Sequence, residues 1–427
     1  MNHSSLCSID GVLYRGGEPI EGAANALRLL GRQKFRYVFL TNGGGTPETA
    51  KAVSLRDKLG IFKNETTIGK HRMIQSHTPK KGWPEHVKKN DTILITGQNP
   101  HWVRKLATNY GFENVVTPTD IEAAHPYIYP FTSPRALDPF QDHRNEYHPL
   151  PNDKFIFNPK DPYTTEIPEE ALKIDHIFVW NDPRDWSLDI QVINDALASH
   201  KGYLGTLSRK NGDKSLPNNG WQQDGQPSLW ISNMDLHWKT QHHINRFGTG
   251  AFIEALKGVW KAATDGAELQ YNALGKPLQV TYEYAHDKLL HMHERGKPGE
   301  KRPLRTVYMI GDNPESDIQG GNNFNPEDGT EWKSILVRTG VWNPTEAEPE
   351  PRHKPDMIAN DVVDAIVWAL NTEGVKISRD ELLKLGHRDA SLSPEQLEQQ
   401  ERERADKEAA TLLGTRDRHH RLSALMR

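Results

Sequence analysis

A single cysteine, Cys7, leaves this 427-residue chain unable to form an internal disulfide, which excludes a disulfide-stapled domain and suits a reducing compartment. No apolar run reaches the roughly 18 residues of a membrane span. The opening Met1-Asn2-His3-Ser4-Ser5-Leu6-Cys7 has neither the basic-apolar pattern of a signal peptide nor the Arg-rich pattern of a transit sequence. Charge of one sign is scarce too: 53 Lys and Arg against 57 Asp and Glu leave a formal net charge of −4, no global reason to expect nucleic acid or an anionic membrane as partner. What is present is a long, mixed chain, enough for two domains and extensions.

Apolar β-rich runs alternate with helical patterns, the signature of parallel α/β layering. Arg36 to Leu40 reads as a buried strand, preceded by a helix from Gly22 to Leu30 that gathers Ala23, Ala26, Leu27 and Leu30 on one face. Asp91 to Gly97, Ile174 to Trp180, Arg305 to Ile310 and Ser334 to Arg338 read as further strands, and Asp361 to Leu370 as a closing helix. The segment 71–272 is richer in Pro, Trp, His and Asn and carries a polar loop from Asp138 to Pro162, so a domain inserted into another is the simplest account. The expected α/β architecture is a Rossmann-like parallel-sheet core (1–70 and 273–373), an inserted α/β cap (71–272) and a charged tail (374–427). In the tail, Ser393-Pro394-Glu395 starts a solvated helix or disordered arm that Gly414 stops.

Three stretches carry possible chemistry. In Thr41-Asn42-Gly43-Gly44-Gly45 a strand ends in a hydroxyl and an amide, and the glycines let backbone N–H groups turn onto a phosphate; an ordinary strand-to-helix turn has the same composition. Lys276, in Leu274-Gly275-Lys276-Pro277, precedes a helix from about Leu278 to His293 and can neutralise a phosphoryl oxygen, or simply decorate the surface. Asp312 closes an apolar strand and Asp317 follows one turn later, a pair able to hold Mg2+ and orient its surroundings, or to cap turns.

With Ser8-Ile9-Asp10-Gly11-Val12-Leu13-Tyr14-Arg15-Gly16 in front, these stretches in this order resemble class IIA of the haloacid dehalogenase superfamily over residues 8–372. Ile74 to Pro79, Trp180 to Trp186 and Asn245 to Phe252 look like its cat-eye-syndrome-critical-region-type subfamily, in a fungal-type member. The resemblance implies a Mg2+-dependent phosphatase acting on a small phosphorylated metabolite through an aspartyl-phosphate. It assigns Asp10 to acid/base work and, with Asp312 and Asp317, to the metal site; Thr41, Asn42 and Lys276 to the phosphoryl group; and Asn233, Asp235, Gly248 and Gly250 to the cap side of the entrance. Trp180, Trp186, Trp230 and Trp238 are expected in the cap core. A mitochondrial setting and a link to glycerophospholipid metabolism also follow from the resemblance alone; otherwise the chain reads as cytoplasmic.

One position departs from the family pattern. Ser8 stands where the first Asp of D-x-D attacks phosphorus, and a hydroxyl supplies neither that anion nor a charged metal ligand. The competing reading is therefore a non-catalytic pseudoenzyme or phosphometabolite-binding scaffold. Because only four residues, Ser4 to Cys7, stand where an apolar first strand belongs, residues 1 to 8 are expected to be an artefact of the predicted start, with the strand incomplete.

Overall fold

The computed structural model describes residues 3–384 apart from 34, 64, 66, 132–146, 295–303 and 347. Six runs pair in parallel in the order Met357–Ala359, Glu331–Val337, Thr306–Gly311, His3–Cys7, Arg36–Thr41 and Met73–Gln75. Side chains alternate across a strand, and both faces of this sheet are covered. Tyr37, Phe39, Tyr308 and Ile310 therefore pack with the helices Ala23–Arg32 and Val362–Thr372, while Val38, Leu40, Val307 and Met309 pack with Gln279–Glu294. That two-sided burial is why the central strands read as continuous apolar runs.

The first strand is paired on both sides. His3 to Cys7 pairs residue for residue with Thr306 to Ile310, and Ser4 to Cys7 with Arg36 to Phe39. Its serines lie in the sheet centre, where Ser5 Oγ donates to the Tyr308 carbonyl at 3.4 Å. The two neighbours supply the ladder that serine propensity does not.

A second parallel sheet is built from the insert, in the order Asn272–Ala273, Ser228–Ile231, His176–Val179, Thr92–Thr96 and Asn114–Val116. Leu94, Ile177, Val179 and Ile231 face the helices Trp186–Ala198 and Thr249–Ala263, and the opposite face packs Phe178, Trp180 and Trp230 against Trp83 and Phe112. In that aromatic layer Lys80 is wholly buried, its Nζ 3.9 Å from the centre of the Phe178 ring and without a hydrogen-bond partner among the described residues. Where the sheets meet, Glu48 accepts from Tyr110 Oη at 2.7 Å, Thr78 Oγ1 at 3.0 Å and Lys81 Nζ at 2.8 Å.

Two boundaries move. Met73–Gln75 belongs to the first sheet, so the insert begins after Gln75 rather than at 71. At the other end, Arg379–Leu383 forms a capped helix that buries Leu382 and pairs Arg379 with Asp361 and Asp364 at 2.6 Å each, so the body continues past 374. The tail helix expected after Ser393 lies outside the described residues. Among the described residues no helix is long and apolar enough to cross a membrane.

Candidate active site

The register of the first sheet brings three strand ends level: Cys7 is opposite both Phe39 and Ile310, so Ser8, Thr41 and Asp312 emerge at one carboxyl edge. That edge is where open parallel sheets hold ligands. A cavity of about 640 Å³ opens there, between the first sheet and the insert.

Lys276 is the hub. Its buried Nζ donates to Ser8 Oγ at 2.9 Å and to Asp317 Oδ1 at 2.5 Å. Its backbone is clamped by Asn42, whose Oδ1 accepts the Lys276 N–H at 2.7 Å while its Nδ2 donates to the Lys276 carbonyl at 3.0 Å. Burial alone would lower the Lys276 ammonium, but Asp317 and Asp235 beside it hold it above its ordinary value. Asn42 lines the cavity, yet both ends of its amide are engaged by a neighbouring loop.

Asp317, expected among the metal ligands, has both oxygens engaged as well. Oδ1 takes Lys276, and Oδ2 accepts the backbone N–H groups of Asp312 and Asn313, each at 3.0 Å. It sets the loop on which Asp312 sits. The Asp312 carboxylate accepts the Val341 N–H at 2.8 Å and is walled in by glycine: a Cβ on Gly340 would lie 1.9 Å from its Oδ2, and one on Gly11, whose φ is 76°, at 2.3 Å. Burial, then the charge of Asp317, pushes Asp312 up to about 8.

Asp10 faces the cavity with Lys51 Nζ 3.7 Å from its Oδ2, and Thr41 Oγ1 accepts the Gly43 N–H at 3.0 Å. Across the cavity stand Asn233, Asp235 and Gly248. Desolvation pushes Asp235 up to about 6 against the pull of Lys276. Gly250 lies outside the lining; its N–H donates to the Asp235 carbonyl at 3.0 Å and pins that loop.

Tyr14, Lys51, Lys58, Asp182 and Trp238 also line the cavity, and the pattern reading missed them. Lys51 and Lys58 were findable: they lie two turns apart on the helix Glu48–Lys58 and so share a face. Trp238, expected in the core, is 45% exposed, because it belongs to a two-stranded hairpin, His237–Trp238 with Arg246–Phe247, that overhangs the opening. Trp180 and Trp230 are buried as expected.

A haloacid dehalogenase-like hydrolase family model matches residues 5–113, and a second, HAD-hydrolase-like model matches 273–365. A mitochondrial hydrolase of Saccharomyces cerevisiae is 37% identical over 380 residues, covering 85% of this chain and 94% of its own. A cardiolipin synthase/mitochondrial hydrolase fusion protein of Schizosaccharomyces pombe is 31% identical over 366 residues, and the match spans 52% of that longer protein. In fold, the chain resembles a possible sugar phosphatase of Cytophaga hutchinsonii, with a TM-score of 0.50 at 15% identity over 84% of this chain and 93% of that one.

Proposed function

The chain belongs to the haloacid dehalogenase-like hydrolases, and from that premise we propose that its cavity binds the phosphoryl group of a small phosphate monoester, with hydrolysis held back at position 8. Thr41 and Lys276 hold the phosphoryl oxygens, and Asn42 acts from behind by fixing Lys276. Asp10 is placed to pass a proton between the cavity and the leaving oxygen. Asn233, Asp235 and Gly248 border the organic part of the ligand.

The 2.9 Å contact between Ser8 Oγ and Lys276 Nζ carries the reading. A serine attacks phosphorus only when a base takes its proton, and the group beside this one is an ammonium already held by Asp317, a donor rather than an acceptor. The same contact favours the second reading, a protein that binds a phosphorylated metabolite without turning it over.

Mg2+ suits the donors present. It is commonly held by one or two carboxylates together with substrate phosphate oxygens, and Asp10 and Asp312 supply two at the cavity wall. Water and a substrate phosphate oxygen would complete the coordination, as is usual for Mg2+ held by one or two carboxylates. When bound, the ion neutralises charge on the phosphoryl group. A mitochondrial setting is part of this reading, supported by the name of the Saccharomyces relative. A link to glycerophospholipid metabolism draws support from the fusion to cardiolipin synthase in the Schizosaccharomyces relative.

Phosphate release from a panel of phosphomonoesters with Mg2+ tests the proposal. Ser8→Asp should raise Mg2+-dependent turnover by roughly a thousandfold or more over a near-background parent. Fast release by the unaltered chain, lost in Asp312→Ala, would show that Ser8 is no obstacle. A folded, ligand-binding but inactive Ser8→Asp variant would favour the binding-protein reading.

A further inference from the structure

A second cleft, of about 300 Å³, opens beside the phosphoryl cavity where the overhanging hairpin meets the first domain, and the two share Lys239 and Val341 as a common wall. Three permanent cations converge on it from separate parts of the chain: Arg15 from the opening motif, Lys239 from the hairpin and Arg338 just beyond the strand Glu331–Val337. No Asp or Glu lines the cleft. Glu18 is paired in register with Arg15 in a small ribbon but lies outside this cleft, and among the described residues Arg15, Lys239 and Arg338 form no ion pair.

Two of the three cations have a contact of their own. Lys239 Nζ donates to the His243 carbonyl at 3.0 Å, and the Arg338 guanidinium lies 5.1 Å from the centre of the Trp342 ring. Like charges gathered round a concave wall repel one another and favour an anion between them. Guanidinium groups suit the forked geometry of a phosphate.

We propose that this cleft takes a second phosphate group of the ligand whose phosphoryl end occupies the main cavity, so that the preferred ligand carries two phosphates rather than one. The inference rests on the phosphoryl reading of that cavity and gives Arg15 a role distinct from it. The hairpin also exposes Ile244 and Phe247, at 57% and 66%. The second phosphate can accordingly belong to a dissolved bisphosphate or to an anionic lipid headgroup, which share the chemistry of the cleft.

Calorimetric titration of the full chain with alkanediol bisphosphates and with alkyl monophosphates of matched length separates the two sites. At the length that spans them, the bisphosphate should bind roughly tenfold tighter or more. The advantage should vanish in the double variant Arg15→Gln/Arg338→Gln, while monophosphate affinity stays as in the parent. Cosedimentation with vesicles of phosphatidylglycerol and phosphatidylcholine, against phosphatidylcholine alone, identifies the lipid source if binding depends on the same two arginines. Equal affinity for mono- and bisphosphates at every length, with no arginine-dependent vesicle binding, overturns the proposal. Failure of every monophosphate to bind is a different failure, that of the main cavity. The bisphosphates and the vesicles then score the cleft alone: arginine-dependent binding of either supports it, and its absence from both overturns it.

Discussion

Replacing Lys80 by Met should make this protein more stable, and the gain should depend on pH in a defined direction. Lys80 is 0% exposed, with Phe178, Trp83, Trp230 and Trp180 ring centres at 3.9, 5.5, 5.6 and 5.9 Å from its Nζ and no hydrogen-bond partner there among the described residues. Burial pushes its pKa well below the ordinary lysine value. The unfolded chain thus holds one more proton than the folded one across the window from the folded pKa up to about 10.4, and stability rises there by about 1.4 kcal/mol per pH unit. Keeping the buried amine neutral costs free energy that grows by about 1.4 kcal/mol for each pH unit below the reference value, for as long as the folded lysine stays unprotonated. Contact with aromatic faces returns only about 2 kcal/mol if the ammonium stays charged, too little to offset full desolvation. Methionine keeps an unbranched chain in the same slot and a favourable sulfur contact with the rings. We expect Lys80→Met to gain about 2–4 kcal/mol at pH 7 and to lose most of that advantage by pH 10. Urea unfolding followed by Trp fluorescence at both pH values measures it, since Trp83, Trp180 and Trp230 surround the site. A less stable Met variant at pH 7, or an equal difference at pH 7 and 10, refutes the reasoning.

Two further outcomes follow from the junction and the far end of the body. Burial alone would raise Glu48, but the Lys81 ammonium and its hydrogen bonds with Lys81 and Tyr110 hold it down at about 2. Its contribution is therefore present above an unfolded value near 4.5 and is lost as pH falls toward 2; Glu48→Gln should cost about 2 kcal/mol at pH 7 and flatten that acid limb, and equal acid titrations of stability would contradict this. A chain ending at Gly374 loses the buried Leu382 and the Arg379 pairs. It should melt at least roughly 3 °C below a chain ending at Lys384, and coincident melts would mean the helix Arg379–Leu383 contributes nothing.

Much of the frame was legible because both sheets are buried on two faces, so Tyr37 to Leu40 and Val307 to Ile310 announce themselves as unbroken apolar runs. Their ends then mark the ligand edge, which is how Thr41 and Asp312 could be picked out. His3–Cys7 is not legible in the sequence because its serines carry no strand signal; what makes it a strand is a partner on either side, one of them some three hundred residues away. Arg379–Leu383 is too short for periodicity, and the usable sign was the reciprocal cap between Ser378 and Glu381. Asn42 shows a different limit. Residue type placed it at the site, but only the neighbouring loop determines that its amide faces Lys276. Lys239 and Arg338 converge through tertiary structure, which no spacing along the chain encodes.

The position of His3–Cys7 has a consequence for how the molecule is made. Ser5 and Tyr308, neighbours in the finished sheet, are 303 residues apart. A ribosome adding roughly 5–20 residues per second needs about 15–60 s to bring the second strand into being after the first. Meanwhile the strands of the second sheet, from Thr92 to Ala273, emerge consecutively and can pair among themselves. During that interval one flank of His3–Cys7 has no mate, and an unpaired strand edge is an invitation to association with other chains. The strands of the insert can thus all be paired before the first sheet is closed, while His3–Cys7 keeps one edge open until Thr306–Gly311 is made.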